Sequence, residues 1–278
     1  MISVIIPTYN EKENLGGCLE SLGAQNYADF EIVVVDDGSR DGTLSLLKNL
    51  KRTIPNFKFI KINHKGPGAA RNSGAKIAKG KILVFVDADM TFDPDFLTKL
   101  VAPIEKGEVL GTFSKEEYVG NWENVWAKCW NIEEGWEPKR RHPKNYPDHE
   151  PVFRAILKSE FDKVHGFTPG GYMDDWSLST KLGYEAINAP DAVYYHTNPS
   201  GLKEIFFQAK WVAKRKYKLG FLGYIAALVR SFFIISIAVG IYKSVVHKQP
   251  SFVLFKLIYD FGIFVGIWEM LLTGKKMK

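Results

Sequence analysis

Short apolar runs rich in β-branched residues alternate with segments of helical length through the first hundred residues. The apolar runs cover residues 4–6, 32–35, 57–62 and 82–86, and amphipathic segments lie between them near residues 13–22, 43–50 and 69–78. Continuous apolar runs flanked by helices are typical of parallel strands that are buried on both faces. The pattern therefore predicts an α/β fold with a Rossmann-like, mostly parallel central sheet.

Polar, carboxylate-rich segments follow three of these predicted strands. They are residues 7–11 (PTYNE), 36–43 (DDGSRDGT) and 87–89 (DAD). In open α/β sheets, ligands bind beyond the carboxyl ends of the strands. Any one segment is equally well explained as a helix cap or a turn. Three at one sheet edge favour a binding site.

The carboxylates of Asp87 and Asp89 leave the same strand end two residues apart. Hard divalent cations such as Mg²⁺ and Mn²⁺ take oxygen ligands and keep substrate phosphates and waters in the rest of their shell. The pair is thus a candidate metal site, and the alternative is a helix N-terminus ahead of Pro94 and Asp95.

Two further segments suit a nucleotide. In residues 36–43, two glycines permit close approach of the backbone, and the carboxylate of Asp37 is able to accept a hydrogen bond from a base N–H such as that of uracil. Residues 66–74 (GPGAARNSG) open a helix and place Arg71 near its start. Backbone N–H groups and a guanidinium there suit diphosphate oxygens, and close helix packing by glycine and alanine explains the same segment.

Taken together, the segments PTYNE, DDGSRDGT, GAARNSG and FVDAD, in this order and spacing, resemble the family 2 glycosyltransferases with the GT-A fold. The resemblance covers roughly residues 1–110 and extends more weakly to about residue 200. It implies nucleotide contacts, and a metal ligand at Asp89. The implied nucleotide-binding residues are Pro7, Thr8, Tyr9, Glu11, Asp37, Arg71, Asp87 and Ala88.

The catalytic base of this family lies in a segment of the type Glu-Asp-x-Asp-Leu-Ser-x-Arg, which resembles residues 174–181 (DDWSLSTK). The resemblance implies Asp175 as the base and assigns Asp174, Trp176 and Lys181 to the diphosphate or the acceptor. A carboxylate in that position takes the proton of an acceptor hydroxyl as the hydroxyl attacks. The alternative is that the two aspartates cap the helix that follows.

His196 follows a strand-like run at residues 192–195. Many GT-A enzymes place there a residue that completes the metal shell, and Mn²⁺ accepts a neutral imidazole. The resemblance therefore implies His196 as a second metal ligand, with Mn²⁺ or Mg²⁺ as the cofactor. The alternative is an ordinary polar residue with satisfied hydrogen bonds.

The last eighty residues differ from the rest. Residues 221–242 form a mainly apolar stretch with a single charge, Arg230, and residues 252–272 are interrupted by Lys256, Asp260 and Glu269. Both stretches match a bilayer in length, but charges at mid-membrane are costly, and Lys256 and Asp260, one helical turn apart, are placed to pair. The sequence predicts membrane-associated helices and leaves three arrangements open: a spanning hairpin, interfacial helices, and helices packed within a soluble protein or dimer.

In this last part of the chain, basic residues cluster at residues 203–218, before the first apolar stretch, and at residues 275–278, after the second. Beside long apolar stretches, such clusters match phospholipid headgroups better than nucleic acid. With basic flanks at both ends and two unpaired cysteines, the chain is expected at the cytoplasmic face of the cell membrane.

We therefore expect three segments, namely a nucleotide-sugar-binding half (1–110), an acceptor-binding and catalytic-base half (111–200) and a membrane-associated helical appendage (201–278). The expected activity is inverting transfer of one sugar from a nucleotide diphosphate sugar, a UDP-sugar by preference, to a lipid-linked or membrane-proximal acceptor. Residues 208–211 (QAKW) depart from the Gln-x-x-Arg-Trp motif of processive synthases. A nucleotidyltransferase and a catalytically silent nucleotide-sugar sensor or membrane scaffold are the alternatives.

Overall fold

The computed structural model describes residues 1–51, 54, 56–169, 174–215 and 217–273. The chain divides into two compact units. Unit 1 comprises Met1–Tyr118 and Asn145–His196, and unit 2 comprises Val119–Lys144 and Thr197–Lys278. The predicted segments 1–110, 111–200 and 201–278 were defined by expected function, whereas units 1 and 2 are defined by compactness. The functional division stays a prediction.

Unit 1 begins with four strands and the helices between them, as the alternating pattern predicts. They are β1 (Ile2–Thr8), α1 (Leu15–Gly23), β2 (Phe30–Asp36), α2 (Thr43–Leu50), β3 (Phe57–Lys61), α3 (Pro67–Ile77) and β4 (Ile82–Phe85). Strand β1 pairs in parallel with β2 and with β4, and β2 pairs in parallel with β3. The carboxyl ends of these strands therefore share one edge of the sheet.

The elements that follow alternate between short strands and short helices. In chain order they are β5 (Met90–Phe92), α4 (Phe96–Glu105), β6 (Gly111–Phe113), β7 (Glu117–Val119), α5 (Val125–Glu134, in unit 2), β8 (His149–Glu150), β9 (Ala155–Leu157), α6 (Lys158–Lys163), α7 (Ser177–Leu182), β10 (Ala186–Asn188) and β11 (Tyr194–His196). The main sheet has the order β3-β2-β1-β4-β9-β6-β10-β8, and a second sheet has the order β5-β11-β7.

The main sheet is mixed. Strand β9 is antiparallel to both neighbours, β4 and β6, and β8 is antiparallel to β10. Apolar clusters cover the two faces of the sheet, one with Ile6 and Leu19 and the other with Ile5 and Ala70. A Cβ on Gly74 would lie 2.6 Å from the Ile5 side chain, so glycine is needed for α3 to pack this closely on β1.

Unit 2 is helical. Besides α5 it contains α8 (Leu202–Val212), α9 (Phe221–Arg230), α10 (Phe233–Val246) and α11 (Phe252–Thr273). A small core forms where Trp130 of α5 packs with Ile205 of α8 and Phe255 of α11. Helices α8 and α11 approach closely at Gly266, where a Cβ would lie within 3.0 Å of the Lys210 backbone.

The apolar stretch 221–242 is not one helix, because the chain breaks at Ser231. Ser231 is the C-cap of α9, where its hydroxyl donates to the carbonyl of Ala227 (2.8 Å), and α10 continues at an angle of 66°. In the part of the chain that the structure describes, no single helix combines the length and the apolar composition of a membrane span. The bent pair α9–α10 meets that test only when its two helices are taken together.

The charges within the second apolar stretch are neutralised inside unit 2. Lys256 Nζ lies 2.9 Å from Asp260 Oδ1, which confirms the predicted pair. The same ammonium lies 2.7 Å from Glu133 of α5, which also pairs with Lys243 of α10 at 2.9 Å. The basic residues 275–278 and Lys216 lie outside the described residues.

Candidate active site

The predicted strand-end segments meet at one edge of the main sheet. Thr8, at the end of β1, lies opposite Asp36, at the end of β2. Thr8 Oγ1 and Asp36 Oδ2 are buried and have no hydrogen-bond partner among the described residues. Asp87 and Asp89 follow β4, which is the other neighbour of β1. Unsatisfied buried polar atoms are rare in folded proteins, and here two of them stand side by side below the candidate site.

The loops after β1 and β3 form an aromatic and acidic corner. Tyr9 is 41% exposed, and its ring stacks on His64 with centroids 4.2 Å apart. His64 Nδ1 lies 2.9 Å from the buried carboxylate of Asp37. Asp37 also accepts the backbone N–H groups of Lys65 and Gly66, at 2.8 and 2.9 Å. In this structure Asp37 therefore holds the turn that leads into α3, and its contact with a base stays a prediction.

Three other predicted nucleotide-binding residues, Pro7, Glu11 and Ala88, belong to the same strand-end edge of the main sheet. Pro7 lies within β1 opposite Val35, and Ala88 is buried. The backbone N–H of Glu11 donates to the Thr43 hydroxyl at 3.1 Å. Burial raises the pKa of Glu11 to about 7, and the nearby carboxylates of Asp89 and Asp87 add to that rise. Glu11 is therefore partly protonated near neutral pH.

Two guanidinium groups hold Asp87. Arg71 NH2 lies 2.7 Å from Asp87 Oδ1, and Arg154 NH1 lies 3.4 Å from Asp87 Oδ2. Burial alone raises the pKa of Asp87, but the two arginines bring it well below its ordinary value. The resemblance did not assign Arg154, which precedes β9. No local motif marks it, and only the pairing of β9 with β4 brings it to Asp87.

His196 lies against Asp89, as the resemblance implies. Antiparallel pairing of β11 with β5 sets His196 opposite Met90, and its Nε2 lies 3.1 Å from Asp89 Oδ2. Its Nδ1 lies 2.8 Å from Glu117 Oε1, and the Tyr194 hydroxyl donates to Glu117 Oε2 at 3.0 Å. Glu117 was missed at the sequence level, because an acidic residue in a short strand carries no signal of its own.

The chemistry of this pair fits a divalent cation. If Glu117 holds the proton on Nδ1, then Nε2 directs a lone pair toward the Asp89 carboxylate, an arrangement that a proton or a metal cation between them stabilises. Among the described residues, no group of three or more His, Cys, Asp or Glu side chains is arranged to hold a metal ion. Two protein ligands suffice where donor phosphates and waters complete the shell.

Asp174 and Asp175 have different environments. Asp174 is buried, and its Oδ2 accepts the backbone N–H of Gly68 at 2.5 Å, in the first turn of α3. Its Oδ1 lies 3.6 Å from Arg71 NH1. Asp174 thus caps α3 and not, as the alternative had it, the helix that follows it. Its contact with the diphosphate or the acceptor stays a prediction.

Asp175 is partly buried, and its carboxylate accepts the N–H of Trp176 at 3.1 Å. Burial raises the pKa of Asp175, whereas Arg71 opposes that rise. A carboxylate with a raised pKa is a stronger base than an ordinary aspartate. Burial raises the pKa of Asp174 as well, but that carboxylate is engaged by the Gly68 N–H and by Arg71, so Asp175 is the better placed of the two for proton transfer.

The other two residues of this segment also lie in unlike settings. The indole of Trp176 is 46% exposed. Lys181 Nζ donates to the carbonyls of Gly166 (2.6 Å) and Val164 (3.3 Å), so it holds the loop after α6 in this structure. The predicted roles of Trp176 and Lys181 toward the diphosphate or the acceptor stay predictions.

A carboxylate edge with two buried arginines beneath it is suited to a ligand that carries both phosphate and hydroxyl groups. The family model for glycosyl transferase family 2 matches residues 3–164, which contain the strand-end segments and Arg154 but end before Asp174, Asp175 and His196. The chain belongs to glycosyl transferase family 2. The sequence-level expectation of this family is confirmed.

Relatives with assigned names match parts of the chain. A poly(ribitol-phosphate) beta-glucosyltransferase of Bacillus spizizenii is 44% identical over 92 residues, which are 32% of this chain and 14% of that protein. An undecaprenyl-phosphate 4-deoxy-4-formamido-L-arabinose transferase of Pseudomonas fluorescens is 38% identical over 117 residues, 40% of this chain and 34% of that protein. The matches thus span about a third of these relatives or less.

Solved structures of similar fold cover almost the whole chain. S. aureus TarS 1–349 in complex with UDP-GlcNAc has a TM-score of 0.53 and 18% identity, covering 99% of this chain and 92% of that one. The mannosyltransferase PcManGT from Pyrobaculum calidifontis, with GDP-Man and Mn²⁺, has a TM-score of 0.58 and 21% identity, covering 99% and 76%. At these identities the likeness concerns the fold, and it confirms the predicted GT-A architecture.

Proposed function

We propose that this chain transfers one sugar from a nucleotide diphosphate sugar, with a UDP-sugar as the favoured donor, to a lipid-linked or membrane-proximal acceptor, with inversion at the anomeric carbon. The observation that carries the proposal is the convergence of Asp87 and Asp174 on the buried guanidinium of Arg71. Asp175 follows Asp174 in the chain, and Asp89, with His196 as its partner, lies two residues after Asp87. Family membership and the donor complexes of TarS and PcManGT support the donor class.

The proposed reaction is a single displacement. The acceptor oxygen forms a bond to the anomeric carbon as the bond from that carbon to the diphosphate breaks, and the electron pair of the broken bond leaves with the nucleoside diphosphate. Asp175 takes the proton of the acceptor hydroxyl. Its raised pKa suits this role, because proton transfer is efficient when the base is neither too weak nor already protonated.

Arg71 has a positioning role in this scheme. Its guanidinium contacts Asp87 and Asp174 and so links the strand end after β4 to the segment that carries Asp175. Such fixed geometry keeps a base within reach of the reacting hydroxyl.

Asp89 and His196 would hold Mn²⁺ or Mg²⁺. A bound cation stabilises negative charge that develops on the departing diphosphate. Glu117, through its contact with His196 Nδ1, orients that imidazole.

The helices of unit 2 support the part of the proposal that concerns a lipid-linked or membrane-proximal acceptor. Lipid-related names occur among the relatives, including the undecaprenyl-phosphate transferase described above. Exposed apolar helices in unit 2 support an acceptor at a membrane and a location at the cytoplasmic face of the cell membrane.

A donor screen tests the proposal. Thermal unfolding is measured with UDP-, GDP- and dTDP-sugars, each with and without Mn²⁺, on the wild type and on Asp89→Asn. A specific donor at a hundred times its Kd stabilises the folded state by about 2.7 kcal/mol. We expect one donor class to do so, with Mn²⁺ enhancing the effect in the wild type and not in Asp89→Asn.

The matched control is Asp162→Asn, which makes the same change at an exposed site on α6. It should behave as wild type. Failure of every nucleotide sugar to stabilise the wild type, together with stabilisation by a nucleoside triphosphate and release of pyrophosphate, would contradict the proposal and favour a nucleotidyltransferase.

A further inference from the structure

Exposed apolar side chains are concentrated in unit 2. Of the 27 exposed large apolar side chains among the described residues, 20 lie between Phe207 and Leu272. The most exposed include Phe221 (67%) on α9, Ile234 (68%) and Val245 (73%) on α10, and Leu272 (79%) on α11. Soluble monomers rarely expose so extensive an apolar surface, and such patches mark contact with a membrane or another protein.

These side chains lie on one face of their helix. On α10, Ile234, Ile241 and Val245 are exposed at helical spacing, whereas Gly240 is buried, and a Cβ there would lie 3.2 Å from Val253 of α11. One side of α10 thus packs on α11 while the other side has no cover within the described structure. We call the exposed apolar residues of α9, α10 and α11 the apolar face.

The charges of unit 2 are divided between its interior and its surface. Every acidic side chain near the apolar face is engaged, since Asp260 is buried with Lys256 and Glu269 pairs with Lys210 and Lys214. Residues 205–259 contain no acidic residue at all. Exposed cations stand at or just beyond the ends of α9 and α10 in the chain: Arg215, Lys218, Arg230 and Lys248.

An apolar face with cations at its helix ends complements an anionic lipid surface. Each Lys or Arg near such a surface strengthens binding appreciably, and the apolar side chains enter the boundary between headgroups and acyl chains. A protein partner with an apolar surface would not by itself require cations at the helix ends or a stretch without acidic residues.

Helix lengths and helix charges favour one leaflet over a span. Helix α11 is long enough to cross a bilayer, with 22 residues, but it carries Lys256, Asp260 and Glu269. Helix α9 has 10 residues and α10 has 14, so they are about 15 and 21 Å long, whereas the hydrocarbon core is about 30 Å thick. The two helices are bent by 66°. Elsewhere unit 2 exposes polar residues, such as Glu134 on α5 and Gln208 on α8, which a spanning bundle would place in lipid.

We propose that the apolar face inserts into one leaflet of an anionic phospholipid bilayer, with Arg215, Lys218, Arg230 and Lys248 contacting the lipid phosphates. The inference deepens the proposed function and rests on its membrane-proximal acceptor, because it names the surface and the lipid charge that bring the enzyme to that acceptor. An anionic bilayer is the partner that matches both the exposed apolar side chains and the excess of cations.

Vesicle binding of the purified full chain tests this inference. Co-sedimentation is measured with vesicles of phosphatidylcholine alone and with phosphatidylcholine containing phosphatidylglycerol. Strong binding is expected only with phosphatidylglycerol, and it should weaken with added salt. Lys218→Glu with Arg230→Glu should lower the partition coefficient about tenfold or more, and Ile234→Glu with Val245→Glu should abolish binding.

Matched controls place the same changes in unit 1. Ile187→Glu replaces a 42% exposed side chain, and Lys106→Glu replaces an exposed lysine. Both should bind vesicles as wild type does. Equal binding by Ile234→Glu with Val245→Glu and by Ile187→Glu would overturn the inference. So would loss of a dimer in that double variant without any vesicle binding by the wild type, because a second copy would then cover the apolar face.

Thiol labelling separates one-leaflet insertion from a span. Cys18 and Cys129 are buried, so Leu219→Cys and His247→Cys introduce accessible thiols before α9 and after α10. With one-leaflet insertion, a membrane-impermeant maleimide added outside sealed vesicles labels both. Labelling at residue 219 together with protection at residue 247 would show that the α9–α10 pair crosses the bilayer, and the inference would be wrong.

Failure of this inference is distinguishable from failure of the proposed function. If the wild type binds no vesicle but is stabilised by a nucleotide sugar and transfers the sugar to a soluble acceptor analogue, then membrane insertion is wrong and catalysis stands. If it binds anionic vesicles but no nucleotide sugar, the reverse holds.

Discussion

Units 1 and 2 both bury charged side chains, but they enclose them differently. In unit 1, Asp87 and Asp89 contact buried partners while about 30% of each carboxylate side chain stays exposed. In unit 2, the side chains of Lys256, Asp260 and Glu133 are each at most 8% exposed, and their charges neutralise one another together with the partly exposed Lys243. Charged side chains that stay partly exposed to solvent are able to contact a ligand, whereas a fully buried ion-pair network contributes only to the fold.

The protonation of the carboxylates follows the same division. Burial alone raises the pKa of Glu133, but Lys256 and Lys243 outweigh it and bring that pKa below its ordinary value. Burial raises the pKa of Asp175, and the opposing effect of Arg71 does not cancel it. Unit 2 thus keeps Glu133 ionised, while unit 1 keeps a carboxylate ready to gain a proton.

The largest effect on stability is expected from Lys256→Met, which leaves Glu133 and Asp260 without their shared cation. Removing one partner of a buried ion pair costs roughly 3–5 kcal/mol. The free energy of unfolding from denaturant titration should fall by about that amount. Lys210→Met is the matched control, because Lys210 is 25% exposed and its partner Glu269 retains Lys214. A similar loss in both variants would contradict the distinction between closed and exposed pairs.

A smaller effect, on metal affinity and not on folding, is expected from Glu117→Gln in unit 1. The carboxylate on His196 Nδ1 orients the imidazole and raises its basicity, and loss of such a partner typically weakens metal binding by 10–100-fold. Mn²⁺ affinity, measured by electron paramagnetic resonance in the presence of the nucleotide, should drop within that range.

The control for Glu117→Gln is Glu116→Gln, which makes the same change at the adjacent residue. It should leave Mn²⁺ affinity unchanged. Unaltered Mn²⁺ binding in Glu117→Gln would remove Glu117 and His196 from the metal site.

A change of about 1 kcal/mol is expected from Asp41→Ala. The Asp41 carboxylate accepts the Thr43 N–H at the start of α2 (3.0 Å) and the Lys12 N–H (3.1 Å). Loss of a side-chain cap typically costs about 1 kcal/mol. Asp95→Ala is the comparison, since Asp95 stands at the N-terminus of α4 without a capping hydrogen bond and accepts only an exposed hydrogen bond from the Asn26 amide. The denaturation midpoint should shift clearly only in Asp41→Ala.

The last prediction concerns the pH dependence of stability. Burial raises the pKa of Glu150 from 4.5 to about 7, with Arg154 opposing the rise and Glu117 adding to it. Because the folded state binds this proton more tightly than the unfolded state, the resulting stability is fully present below pH 4.5 and is lost as the pH rises through about 7. Glu150→Gln should flatten the fall in unfolding free energy between pH 5 and pH 7.5. An unchanged slope would show that Glu150 does not titrate there.

Local sequence patterns predicted the first half of unit 1 well. Strands β1 to β4 and helices α1 to α3 follow from apolar periodicity and strand-end motifs, because parallel strands gather their carboxyl ends at one edge. The proximity of Asp89 and His196 also followed from the family resemblance. Arg154 and Glu117 were missed because they reach the site only through the pairing of β9 with β4 and the packing around β11, which no local motif encodes.

Tertiary packing also decided the details that the sequence left open. Asp174 and Asp175 are neighbours in the chain, yet only Asp174 meets the backbone N–H of Gly68 at the start of α3, which leaves Asp175 as the proposed base. The break at Ser231 was not expected from residues 221–242, since a serine within an apolar run is compatible with a continuous helix.

The central claim is that Asp175 acts as the catalytic base at a nucleotide-sugar site, and Asp175→Asn tests it most directly. Sugar transfer to an acceptor is measured beside donor affinity, with Asp174→Asn for comparison. We expect Asp175→Asn to lower kcat by about 10²–10⁴-fold with donor Kd nearly unchanged, and Asp174→Asn to lower the unfolding free energy because Arg71 loses the negative charge of Asp174. Full turnover in Asp175→Asn would contradict the account.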